Sequence, residues 1–317
     1  MAFETAGVVR RGAAVSPLVE DVSRWSTGRR MARYVVEALP LATTALAGAL
    51  ADANVDAGAL GLLVVTSCTG YATPGLDVLL ARDLTTAASM HRLLVGHVGC
   101  HAALPALAVA RDFVETHAQP AAVVCVELPS LHLQPPTRDL GQAVVHALFG
   151  DAAAAVVVAA EAVTGPTTRS RVHFDLVDVT TRSIVEAADQ MTWNVTDTGF
   201  RMSLSRRVPD VVGAHVGPVV DELLARHGVA RHDVAAWAVH PGGPRVLEVV
   251  EDRLGLPGGA LDASRATLAE HGNCSSATIL VVLELLARDP TIPPGAAVVA
   301  LAFGPGLTLC AALLRAS

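Results

Sequence analysis

Six short uncharged runs rich in Ala, Val and Leu recur along the chain: 60–66 (LGLLVVT), 121–126 (AAVVCV), 152–160 (AAAAVVVAA), 234–239 (VAAWAV), 296–303 (AAVVALAF) and 307–314 (LTLCAALL). They do not alternate with polar residues, which is the pattern of strands covered on both faces. Before and between them, 35–54, 102–117, 211–227, 244–254 and 275–288 keep apolar residues at helical spacing. Strands alternating with helices predict an α/β chain built on parallel layers. The stretch 164–210 is more polar and predicts no element of its own.

Composition agrees with buried sheets. Hydrophobic residues make up 52 % of the 317, charged ones 17 % and aromatics 3 %, which excludes disorder and gives a large core. The net charge of −7 argues against a nucleic-acid partner. Residues 296–314 are uncharged and long enough to span a bilayer, but Gly304-Pro305-Gly306 would break a helix there. They read instead as two strands and a tight turn, so no membrane is expected. The N-terminus shows no apolar signal core, and the five cysteines are odd in number and widely spaced. Both point to a reducing, cytoplasmic setting.

All 23 basic residues are Arg. Without lysine, Schiff-base and PLP chemistry, the P-loop and the S-x-x-K acylases are excluded. No G-x-G-x-x-G follows a strand, so no dinucleotide site is expected. His91, His97 and His101 have no second cluster to complete a metal site, and no metal is expected. The sequon at Asn194 has meaning only in a secreted chain.

An internal echo suggests duplication. VGCHAALPALAVARDFV (98–114) and HGNCSSATILVVLELLA (271–287) each open an apolar helix after a Gly and a polar or thiol residue. Each is followed by a strand region carrying Phe-Gly, at 149–150 and 303–304. Three residues stand at element junctions. Cys100 enters a helix, where unpaired N–H groups and the helix dipole favour a thiolate, although a buried structural Cys is the alternative. His240 closes a strand before Pro-Gly-Gly-Pro, and Asn273 holds the place of Cys100 in the echo. Cys, His and Asn can serve as nucleophile, base and orienting group. The first 34 residues carry a net charge of +3 on an otherwise acidic chain, a patch that could receive a phosphorylated ligand such as coenzyme A.

With these motifs in hand, the sequence resembles the chalcone synthase-like type III polyketide synthases of the thiolase superfamily. The matching segments include SCTGYATPGLD (67–77), VGCHAALPALAVARDF (98–113), ALFGDAAAAVVV (147–158), VHPGGPRVLEVVEDRLGL (239–256), HGNCSSATILVVLELL (271–286) and AFGPGLTL (302–309), in family order. The resemblance implies a duplicated thiolase-like fold of αβαβα layers, with halves at 1–165 and 166–317, and a homodimer. It implies Cys100 as acyl-accepting nucleophile, with His240 and Asn273 driving malonyl-CoA decarboxylation. It implies substrate contacts at Phe149, Thr73, His132, Met202, Gly242, Gly243, Ser275 and Pro305. Coenzyme A thioesters, acyl-CoA and malonyl-CoA, are the substrates, with no bound cofactor, and Arg29, Arg30 and Arg33 are the candidates for the coenzyme's phosphates.

There are departures from the family pattern. The chain begins after the family's first strand and helix, Ala103 and Leu104 replace smaller residues, Pro129 replaces a small one, and His132 replaces a pocket Thr, where it fills space or serves as a second base. Three other readings stay open: an acyl-CoA acyltransferase or hydrolase that does not elongate, a non-catalytic partner subunit, and a papain-like protease, which lacks its C-G-S-C-W signature.

Overall fold

A computed structural model describes residues 6–16, 19–136, 138–160 and 171–317. The boundary expected at 165/166 lies outside them. In the first half, a long helix α1 (Thr27–Ala53) precedes β1 (Leu62–Ser67), α2 (Leu76–Asp83), β2 (His91–Gly96), α3 (Ala103–His117), β3 (Ala121–Glu127), α4 (Leu140–Leu148) and β4 (Ala152–Val158). In the second half come β5 (Phe174–Ser183), a hairpin of β6 (Met191–Thr196) and β7 (Gly199–Leu204), α5 (Val208–Arg226) and β8 (Val234–Val239). They are followed by α6 (Pro244–Leu254), α7 (Asp262–His271), α8 (Ala277–Leu286), β9 (Ala297–Gly304) and β10 (Thr308–Ala316).

The sheets run β2-β1-β3-β4 and β5-β10-β9-β8. In each, a parallel pair (β1/β3, β8/β9) is followed by an antiparallel one (β3/β4, β9/β10), so the echo in sequence is an echo in topology. Helices α3 and α8 lie between the sheets in a shared apolar core with Val64, Val123, Ala238 and Ala300. α1 covers the outer face of the first sheet through Tyr34, Ala38, Ala42, Leu46 and Leu50. α5 and α6 cover that of the second through Val216, Val220, Leu247 and Val250. Five layers result.

Residues 296–314 form two antiparallel strands around a Pro305-Gly306-Leu307 turn, as their composition predicts. α1 starts at Thr27 rather than 35 because Ser26 caps it, its Oγ accepting from Arg29 N–H. By length and apolarity α1 could cross a membrane, but its apolar stripe is spent on the sheet. The stretch 164–210 is not featureless: it carries β5, β6 and β7. Their polar residues hid them, because their burial is partial rather than complete.

Candidate active site

Cys100 sits in a short 3₁₀ turn (Gly99–His101) that delivers the chain from β2 into α3. Gly99 has φ +77°, and a Cβ there would collide with Pro305, so the Gly304-Pro305-Gly306 turn of the second half closes over the turn carrying the thiol. Only 5 % of Cys100 is accessible. Burial pushes its pKa up to about 12, against hydrogen bonds from Ser275 and Asn273 that pull it down. Desolvation in the closed site thus works against the thiolate that the helix start and these hydrogen bonds favour.

Asn273 is placed by its backbone and oriented by its side chain. Its N–H donates to Leu148 O (2.8 Å), and its own carbonyl accepts from Gly150 N–H (3.0 Å). Its Oδ1 accepts from Ser275 N–H (2.9 Å), so the NH₂ end is the one left for the thiol of Cys100. Ser275 holds φ +49°, and its hydroxyl lies 3.4 Å from Cys68 Sγ. His240 follows β8, its N–H donating to Leu301 O (2.7 Å), and the Pro241-Gly242-Gly243 loop leads on to α6. Neither ring nitrogen of His240 has a partner. Burial pushes its pKa down to about 3, with His101 adding to the effect, so the imidazole is neutral.

Sequence reasoning passed over the polar hub behind these groups. Glu127 ends β3 fully buried; its Oε1 accepts from Ser276 Oγ (2.6 Å), and its Oε2 accepts from Cys68 N–H (3.0 Å) and Thr69 Oγ1 (2.8 Å). Burial raises its pKa. A single carboxylate at the end of the uncharged run AAVVCV was the available signal.

Beside this shell lies a cavity of about 70 Å³ whose walls include Phe149, His132, Trp193, Phe200, Gln142 and Arg11. His132 Nδ1 accepts from Phe200 N–H (2.9 Å), and its Nε2 donates to Thr69 O (2.6 Å). The ring stacks on Phe200 at 4.5 Å, and burial holds its pKa down to about 4. Both nitrogens are committed to backbone, so the alternative of a second base at His132 is corrected: the residue has no free lone pair. Trp193 Nε1–H donates to Cys68 O (2.7 Å), tying this wall to the Glu127 hub.

Other expected contacts divide. Phe149 lines the cavity, whereas Met202 packs into the core beneath it with Val145. Thr73 is exposed, its hydroxyl donating to Tyr71 Oη (3.4 Å). Arg30 is buried, its guanidinium donating to the carbonyls of Trp25 (2.9 Å), Leu133 (3.1 Å), Ser23 (3.1 Å) and Leu131. The expectation that it meets a phosphate is corrected, because folding has already used its donors. Arg29 stacks over Trp25 at 3.8 Å, and Arg33 pairs with Glu37 at 2.6 Å. Arg11, which the charge count did not distinguish, stands at the cavity and donates to His146 O (2.6 Å) and Phe149 O (2.9 Å).

Comparison with known proteins bears on this geometry. Residues 14–162 match the family described as chalcone and stilbene synthases, N-terminal domain, and 175–317 match the C-terminal domain of the same family. A 1,3,6,8-tetrahydroxynaphthalene synthase of Streptomyces peucetius subsp. caesius is 39 % identical over 315 residues, covering 98 % of this chain and 81 % of that one. An alpha-pyrone synthesis polyketide synthase-like protein of Mycobacterium tuberculosis is 34 % identical over 319 residues, covering 97 % and 79 %. The crystal structure of 1,3,6,8-tetrahydroxynaphthalene synthase from Streptomyces coelicolor A3(2) superposes with a TM-score of 0.90 at 30 % identity, covering 99 % of this chain and 88 % of that one.

Proposed function

The chain belongs to the chalcone and stilbene synthase family, the type III polyketide synthases, and on that premise we propose that Cys100, His240 and Asn273 are its acyl-transfer machinery. The observation that carries the assignment is the Asn273 carboxamide, locked by Ser275 N–H so that its donor end meets the Cys100 thiol in a pocket closed to water.

In the loading step the Cys100 sulfur attacks the carbonyl carbon of an acyl-CoA. Its proton passes to His240 and then to the departing CoA thiolate, leaving a thioester that conserves the activation of the acyl group. Malonyl-CoA then loses CO₂, and the charge moves onto the thioester oxygen as an enolate. A neutral imidazole N–H and a carboxamide N–H are donors suited to that oxygen, and in a dry site they act without competition from solvent. The enolate carbon attacks the Cys100 thioester, and Cys100 leaves as thiolate.

The His132 ring, larger than the family's Thr and stacked on Phe200 in the cavity wall, favours few extensions. Five buried, unpaired cysteines suit a reducing cytoplasm. The reading includes a homodimer, and the unpartnered edge of β2 with Leu93 and Leu94 exposed is the surface for it. Two such edges can pair about a two-fold axis.

Incubation with malonyl-CoA and a panel of acyl-CoA starters, read by CO₂ release and product mass, tests the function. CO₂ release and an elongated product are expected. Starter hydrolysis without CO₂ would select the non-elongating acyltransferase instead.

A further inference from the structure

Among the described residues four buried side-chain nitrogen or oxygen atoms lack a hydrogen-bond partner, and three of them belong to two imidazoles: Nδ1 and Nε2 of His240, and Nδ1 of His101. An unpaired buried polar atom costs about 1–3 kcal/mol, so each of the three calls for a partner that the folded chain does not itself supply. Substrate oxygen can engage one nitrogen of His240. The other, and His101, are unexplained by the chemistry above.

The two rings are close. His101 directly follows Cys100, and its Nδ1 presses on Gly304 at the end of β9, where a Cβ would collide with it. Val239 pairs with Leu301, so His240 stands level with Ala302, two residues short of Gly304. At the rise of a strand that is an offset of about 6.6 Å along the sheet between the two backbone positions. The charge of His101 is felt at His240. The rings also differ in access: His240 is 1 % exposed, while His101 keeps 6 % of its surface accessible although its Nδ1 has none. One imidazole thus has an outer edge and an inner nitrogen.

Proton accounting gives this pair a task. Loading is proton-neutral, because the proton lost by Cys100 leaves on CoA. Extension is not. The malonyl carboxylate departs as neutral CO₂, a C–C bond forms to the acyl carbon, the C–S bond to Cys100 breaks, and the sulfur is left as thiolate. Each extension therefore takes up one proton inside a closed pocket.

We propose that His101 is the relay for that proton, receiving it at its accessible edge and passing it from Nδ1 to His240 and so to the Cys100 thiolate. His101 acts through His240 and does not touch the substrate. The inference rests on the elongating reading of the site. The titratable groups of the surrounding shell are Cys100, Cys68 after β1, Glu127 on β3, Cys274 before α8, and His240. Of these, His240 is the one coupled to His101 by charge, and burial pushes the pKa of His101 down to about 4. A weak base of this kind gives up its proton readily to a thiolate whose thiol is held up at about 12.

The test compares wild type with His101→Phe and His101→Gln, each checked for folding by thermal melting. Starter loading is followed by intact mass, and malonyl-CoA extension by CO₂ release from pH 5.5 to 8.5 in H₂O and D₂O. The expectation is loading within about threefold of wild type and extension slowed about 10-fold or more. In the variants the solvent isotope effect on extension should rise, and the rate should climb as pH falls. Wild-type extension and an unchanged pH profile in either folded variant would overturn the relay. So would an equal loss of loading and extension, which marks a packing role. If wild type itself releases no CO₂, the elongating reading fails and the inference falls with it; CO₂ release by wild type with unaltered variants removes the inference alone.

Discussion

Phe149 and Asn273 form a backbone bridge between the two halves, flanked by hydrogen bonds from Asn273 N–H to Leu148 O and from Gly150 N–H to Asn273 O. The residue that walls the cavity and the residue that orients the carboxamide are thereby one rigid unit. Because the bridge is made of backbone, side-chain substitutions at either position leave it in place, and their effects report chemistry rather than collapse.

Asn273→Ala keeps the bridge and removes one donor from the enolate. Starter loading should persist, while malonyl-CoA decarboxylation should fall about 10²–10³-fold. Loading is read by intact mass and decarboxylation by CO₂ release. A wild-type rate of CO₂ release would remove Asn273 from the enolate's donors.

Cys100 should be the only one of the five thiols to acylate. All five are buried, but Cys100 alone faces the carboxamide of Asn273 in the turn entering α3. Peptide mapping after acyl-CoA treatment checks it. Acylation that survives in Cys100→Ala would sink the assignment.

His132→Thr strands Phe200 N–H and Thr69 O and removes the ring stacked on Phe200. Stability should fall by about 2–4 kcal/mol. Turnover should survive, since His132 has no free lone pair, and products should shift toward longer chains as the cavity widens. Complete loss of turnover in a folded variant would restore a base role.

Arg30→Ala leaves four carbonyls without their donor at a fully buried position. It should destabilise the fold by about 3 kcal/mol or more. Below its melting transition the variant should keep the wild-type KM for acyl-CoA. A raised KM with unchanged stability would return Arg30 to the coenzyme.

Acid should unfold the protein through its buried imidazoles. His101 and His132 are held at about 4 and His240 at about 3, against an ordinary 6.5. With folded values below unfolded ones, the unfolded chain binds protons that the folded chain refuses. The stability tied to these neutral rings is complete above about pH 6.5 and is lost as pH falls toward 4. Asp151, pushed up to about 6 by burial, opposes this because the folded state keeps its proton longer. His132→Gln removes one imidazole, so its stability should fall less steeply, by about 1.4 kcal/mol per pH unit near pH 5. Denaturant unfolding from pH 4.5 to 7 measures it; parallel curves for the two proteins would contradict it.

Much of this architecture is legible in the linear chain. The uncharged Val- and Ala-rich runs announce β1, β3, β4, β8, β9 and β10, because a strand covered on both faces can afford no charge. Cys100, His240 and Asn273 stand out because Gly and Pro at 99, 241–243 and 272 mark where elements end, and element ends are where open sheets expose functional groups. The edge strand β2 and the hairpin β6/β7 escaped because partial burial leaves no strong period. Tertiary structure alone decided the rest: that Cys100 is buried, that Arg30 gives its donors to carbonyls, that His132 is locked by Phe200 and Thr69, and that Glu127 gathers Ser276, Thr69 and Cys68. Each of these depends on which distant segments remove a group from water and which donors they offer in return. Local periodicity reports the burial of a segment's own face; the desolvation and pairing of one side chain are set by the remainder of the chain.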